Sequence, residues 1–127
     1  MKTFFSICFL VVFSVAAKAQ AVKVVGVKEF AEGVQKKNVQ IVDVRTPEEY
    51  QEGIIRGAKL ADWNNQAQFQ EAAKKLDKTK PVYVYCLAGV RSGKAAEWMI
   101  KNGFTEVYSL EGGIKEWKAK EMPVVKN

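Results

Sequence analysis

Histidine is absent from this 127-residue chain, and cysteine occurs only as Cys8 and Cys86. Without an imidazole there can be no Cys–His nucleophile pair and no histidine-based metal site. No metal or cofactor is expected. Long apolar runs are also scarce. The one present, Phe4–Ala17, is fourteen residues, shorter than a bilayer span and suited to the apolar core of a secretory signal. Lys2 precedes it and Ala17-Lys18-Ala19 follows, an A-x-A pattern ahead of Gln20. Residues 1–19 are therefore expected to be a signal peptide, and the working protein to be periplasmic or secreted and free of the membrane. Removing them takes two lysines and no acid, leaving 18 basic against 14 acidic residues, a net charge of +4. The lysines are interleaved with acids, as in Glu71, Lys74, Lys75 and Asp77, which excludes a nucleic-acid stripe and allows only a weak preference for anionic substrates. Cys8 leaves with the leader, so an exported chain would keep one thiol, unable to form an internal disulfide.

What remains is an ordinary soluble composition, 48% hydrophobic and 27% charged, of a length that favours one domain over 20–127. The pattern alternates between strand and helix. Strands are expected at 21–25, 39–44, 58–62, 81–86 and 106–110, with helices at 27–37, from Pro47 to Gly53, at 65–76, at 92–103 and from Gly113 to Lys120. Thr46-Pro47-Glu48-Glu49 reads as a helix start with a capping threonine and proline at the first position. Repeated β-then-α units predict an α/β domain, a five-stranded parallel sheet with helices on both faces.

The stretch "VYVYCLAGVRSGKAAEWM" ends a strand on Cys86 and enters a helix within a few residues. Ligands of open parallel sheets bind beyond the carboxyl ends of strands. Gly89 permits a loop that a side chain would forbid, so the N–H groups of Leu87, Ala88, Gly89, Val90, Arg91 and Ser92 can turn toward the sulfur. Such donors, with a helix N-terminus, form an anion cradle and favour the thiolate, the nucleophilic form. Arg91 is expected to grip a dianionic donor, the alternative being that it pairs with a carboxylate to hold the loop. Ser92 either caps the helix or bonds the sulfur.

Three segments, "IVDVRTPEEYQEGIIRGA" (41–58), "PVYVYCLAGVRSGKAA" (81–96) and "VYSLEGGIKEW" (107–117), stand in the order and spacing of the rhodanese-family sulfurtransferases, which the chain resembles over nearly all of 20–127. The resemblance implies the rhodanese fold and its chemistry. Cys86 would take a sulfane sulfur from thiosulfate or a similar small anionic donor, carry it as a persulfide, and pass it to a thiol or cyanide. It implies no cofactor; a thioredoxin-like protein is a candidate acceptor, and a monomer is expected. Asp43, Arg45 and Glu48 match further family positions. Asp43 and Glu48 are expected to fix the loop and the Arg45 side chain by ion pairing, with Arg45 adding positive potential at the mouth. Gly112-Gly113 should let the last turn pass close by, and Trp117 should lie in the core. Ile54-Ile55-Arg56 depart from the histidine and proline common in the family there. Two other functions fit parts of the pattern. One is a persulfide carrier with little turnover. The other is a cysteine phosphatase or arsenate reductase, whose loop has five residues between cysteine and arginine where this chain has four.

Overall fold

The computed structural model describes Thr3 and residues 21–127, so the expected leader lies outside the described residues. Five strands, β1 (Lys23–Val25), β2 (Gln40–Asp43), β3 (Lys59–Leu60), β4 (Val82–Tyr85) and β5 (Val107–Leu110), alternate with five helices. The helices are α1 (Val27–Val34), α2 (Pro47–Glu52), α3 (Gln66–Lys74), α4 (Val90–Lys101) and α5 (Gly113–Ala119). All strand pairs are parallel, in the order β1-β5-β4-β2-β3. The α/β domain expected from the sequence, a five-stranded parallel sheet flanked by helices, is present.

Alternation along β4 shows why the central strand reads as a continuous apolar run. Tyr83 and Tyr85 enter one core with Phe30, Ile114 and Trp117, while Val82, Val84 and Cys86 enter the other with Phe69, Ala96 and Met99. A strand covered on both faces has no polar side. Phe30 anchors the first core, edge to face with Tyr83, Tyr85 and Trp117 at centroid distances of 5.4, 6.3 and 6.2 Å. Trp117 is core, as expected, and its indole N–H donates to the Pro123 carbonyl at 2.9 Å.

The elements begin and end close to their expected limits, with two informative differences. α1 stops at Val34 because the chain must turn to enter β2, and Asn38 makes that turn at φ 65°, a conformation asparagine tolerates better than most residues. α4 starts at Val90, two residues before the expected start, because Gly89 at φ 102° bends the chain into the helix at once.

The end of β2 is held by a buried ion pair. Arg45 donates to Asp43 through Nε at 3.0 and 3.1 Å and through a terminal nitrogen at 2.7 Å, and that same nitrogen reaches the Gly53 carbonyl at 2.7 Å. Asp43 is 0% and Arg45 2% exposed. The Tyr85 hydroxyl accepts from the Ile55 N–H at 3.1 Å, so the Ile54-Ile55-Arg56 departure is seated on β4. A buried charge whose partner is removed costs about 3–5 kcal/mol. Asp43→Asn is therefore expected to lower stability by about that amount, and Asp43→Leu with Arg45→Met to recover most of it, measured by urea unfolding.

Candidate active site

Cys86 follows the central strand at its carboxyl end and is 1% exposed. Its sulfur accepts from the N–H of Gly89 at 3.1 Å and of Ser92 at 3.3 Å, and lies 3.5 Å from the Ser92 hydroxyl. Ser92 is the third residue of α4, so one of these donors belongs to a helix first turn whose N–H groups have no partner within the helix. Of the six expected cradle residues, Gly89 and Ser92 thus donate to the sulfur itself. The N–H groups of Leu87, Ala88, Val90 and Arg91 bond no acceptor among the described residues and stand in the same loop and first turn. The Leu87 and Val90 side chains are apolar and exposed, at 44% and 68%.

The loop faces this way because its carbonyls are engaged elsewhere. The first turn of α5 donates from Ile114 to the Cys86 carbonyl at 2.9 Å and from Lys115 to the Leu87 carbonyl at 3.1 Å. With two carbonyls drawn toward α5, the amides are left for the sulfur. So close an approach requires glycine at 113. A Cβ there would collide with the Leu87 and Cys86 carbonyl groups, and φ is 62°. The close passage expected of Gly112-Gly113 is therefore a contact with the cysteine loop itself.

Arg91 forks onto Glu49 at 2.7 and 2.9 Å, tying α4 to α2. Both terminal nitrogens are engaged, which departs from the expectation of a cation free to grip a donor. Glu48, expected to fix the loop and the Arg45 side chain, is exposed and pairs with nothing among the described residues, whereas its neighbour Glu49 faces α4. Glu49 is also the third residue of the α2 capping box, accepting from the Thr46 N–H at 3.3 Å while its own N–H donates to the Thr46 hydroxyl at 3.3 Å. The Arg91 hydrogen bonds, with those from Thr46, outweigh partial burial and hold its carboxyl at about 2, below the ordinary 4.5. Arg45 is corrected as well. It is turned inward onto Asp43 and Gly53, so it adds no open positive charge at the mouth. Trp63 packs edge to face on Phe69 at 4.9 Å and belongs to the core on the α4 face.

Two concavities, of about 770 Å³ between α1 and α5 and about 840 Å³ beside β2, β3 and α3, are lined by no residue from 86 to 92. The donor set around the sulfur locates the chemistry.

Comparison with known proteins identifies the family. A sequence profile of the rhodanese-like domain matches residues 26–120. The thiosulfate sulfurtransferase GlpE of Coxiella burnetii is 43% identical over 86 residues, covering 68% of this chain and 78% of that protein. The uncharacterized protein YqhL of Bacillus subtilis is 42% identical over 93 residues, covering 73% of this chain and 70% of that protein. Among solved structures, a rhodanese-related protein from Thermoplasma volcanium superposes with a TM-score of 0.71 at 27% identity, covering 81% of this chain and 97% of that one. A rhodanese-like domain protein from Staphylococcus aureus gives a TM-score of 0.66 at 34% identity, covering 75% and 90%. With motifs, sheet order and relatives in agreement, the chain belongs to the rhodanese-like domain family of the sulfurtransferases.

Proposed function

We propose that this protein is a thiosulfate sulfurtransferase working through a persulfide on Cys86. The observation that carries this reading is the sulfur itself, a buried thiol at the end of the central strand with two backbone N–H groups aimed at it. The GlpE relatives support the donor class. The Cys86 thiolate attacks the outer sulfur of thiosulfate, a new S–S bond forms, and sulfite leaves with the electron pair of the bond that breaks. A thiolate or cyanide then attacks the terminal sulfur of the persulfide and regenerates the Cys86 thiolate. Charge and electrons balance at each step, so no oxidant, metal or cofactor enters. The outer sulfur, negative in the intermediate, would sit over the remaining loop amides, an oxyanion-hole device applied to sulfur. The exposed apolar side chains of Leu87 and Val90 would offer a surface to a protein thiol, such as that of a thioredoxin-like acceptor.

Cys86→Ser should abolish sulfur transfer from thiosulfate to cyanide while circular dichroism stays unchanged. The wild-type protein treated with thiosulfate should gain the mass of one sulfur atom on the Cys86 peptide. Activity retained in Cys86→Ser would remove the nucleophile from this residue.

The Arg91–Glu49 fork favours a bracing role for Arg91. On that reading Arg91→Ala and Glu49→Gln lower kcat/KM by the same factor for thiosulfate and for an uncharged persulfide donor. Each variant should also lose about 1–2 kcal/mol of stability, less than a fully buried pair because these side chains stay 21% and 24% exposed. Glu49 is depressed in the folded state. Its contribution is therefore full above the ordinary value of 4.5 and disappears as pH falls through about 2. The stability gap between wild type and Glu49→Gln should narrow over that acid range. A loss confined to thiosulfate would return Arg91 to donor binding.

We further propose that the protein works after export. N-terminal sequencing of the protein recovered from the periplasm or medium should begin at Gln20, and a chain starting at Met1 in the membrane fraction would contradict this.

A further inference from the structure

β5 carries a buried serine where its neighbours are apolar. Ser109 is 2% exposed, between Val107 and Leu110 at 1% and 0%, and its side chain is on the α4 side of the sheet. A buried hydroxyl costs stability unless it is bonded. Among the described residues its one side-chain partner is Ser92, at 2.9 Å. Ser92 is itself 0% exposed and lies 3.2 Å from the Gly89 carbonyl and 3.5 Å from the Cys86 sulfur.

Counting protons orders this cluster. A carbonyl only accepts, so the single Ser92 hydroxyl proton goes to Gly89. The Ser92 oxygen then has only lone pairs to offer, and both the Ser109 hydroxyl and the Cys86 thiol donate to it. When the thiol ionises, its proton passes to solvent and the sulfur becomes an acceptor. The Ser92 O–H can then rotate from the Gly89 carbonyl to the sulfur without any heavy atom moving. Gly89 is not stranded, because its carbonyl also accepts from the Gly93 N–H at 3.2 Å. Ser109 keeps donating to the Ser92 oxygen throughout, which polarises Ser92 as a donor.

We infer that Ser109 is a positioning residue of the sulfur site: its hydroxyl holds Ser92 so that Ser92 can turn its proton onto anionic sulfur. The sulfur then has three donors, the Gly89 and Ser92 amides and the Ser92 hydroxyl. The charges around it come from Arg91 of α4 with Glu49 of α2, and from the Asp43–Arg45 pair at the end of β2. None of these is altered by changing Ser109. The inference rests on the proposed role of Cys86 as a working thiolate, and is independent of which sulfur donor the protein uses.

The test is the pH profile of iodoacetamide alkylation, read on the Cys86 peptide by mass spectrometry in the full-length chain. Ser109→Ala should move the pH of half-maximal alkylation upward by about half a unit to one unit, the equivalent of one modest hydrogen bond. Ser92→Ala should move it at least as far, and the Ser92→Ala/Ser109→Ala double variant no further than Ser92→Ala alone, since Ser109 acts through Ser92. Ser109→Thr and Ser109→Val, alike in shape and differing in the hydroxyl, provide a matched pair should the alanine variant not fold. Threonine should keep the wild-type midpoint and valine should shift it. No shift in Ser109→Ala, equal midpoints for threonine and valine, or an additive double variant would each overturn the role. Because thiosulfate turnover is not the readout, failure here is distinguishable from failure of the sulfurtransferase reading.

Discussion

Two hydrogen bonds determine which way the cysteine loop faces. The amides of Ile114 and Lys115, in the first turn of α5, hold the carbonyls of Cys86 and Leu87. A backbone segment that commits its carbonyls on one side presents its N–H groups on the other, and here the other side is the sulfur. If α5 were displaced, the loop could rotate and present oxygen lone pairs to the sulfur. Gly113 makes the arrangement possible, since any side chain there would occupy the space of the Leu87 carbonyl. The donor set around the sulfur is thus a product of two helix starts, α4 supplying donors to the sulfur and α5 supplying donors to the loop.

Around this backbone device the formal charges are paired. Arg45 is matched by Asp43 in a fully buried contact, and Arg91 by Glu49 in a partly exposed one. The positive end of the site is therefore made of amide dipoles more than of free cations. That distinction bears on chemistry, because fixed dipoles in a water-poor site stabilise a developing charge without reorganising. A free guanidinium would also attract anions, but it would have to be held in place by something else. Here Glu49 does the holding, and the same carboxylate closes the capping box of α2. One residue thereby sets both the start of α2 and the position of α4.

The hydroxyl cluster beneath the loop has the same economy of parts. Ser92 is at once the third residue of α4, an amide donor to the sulfur and a hydroxyl within reach of it. Ser109 comes from the neighbouring strand, and parallel pairing of β4 with β5 places it opposite Val84, two residues before Cys86. No local signal marks a serine in an apolar strand as part of a site seventeen residues away in sequence.

Local chemistry is what the sequence by itself determined. Strand and helix alternation, the Thr46 capping box, the glycine after Cys86 and the absence of histidine are properties of short segments, readable because each depends on neighbours in the chain. They were enough for the parallel five-stranded sheet and for Cys86 at a strand end. Partnerships between distant segments were decided by the tertiary structure alone. Glu48 and Glu49 are equivalent as residues, and only the rotation of α2 against α4 selects Glu49 for Arg91. The inward turn of Arg45, the earlier start of α4 at Val90 and the Ser109–Ser92 contact follow the same rule. Each depends on the distance and angle between packed elements, and these are fixed when β4 is buried on both faces by side chains from segments distant in sequence.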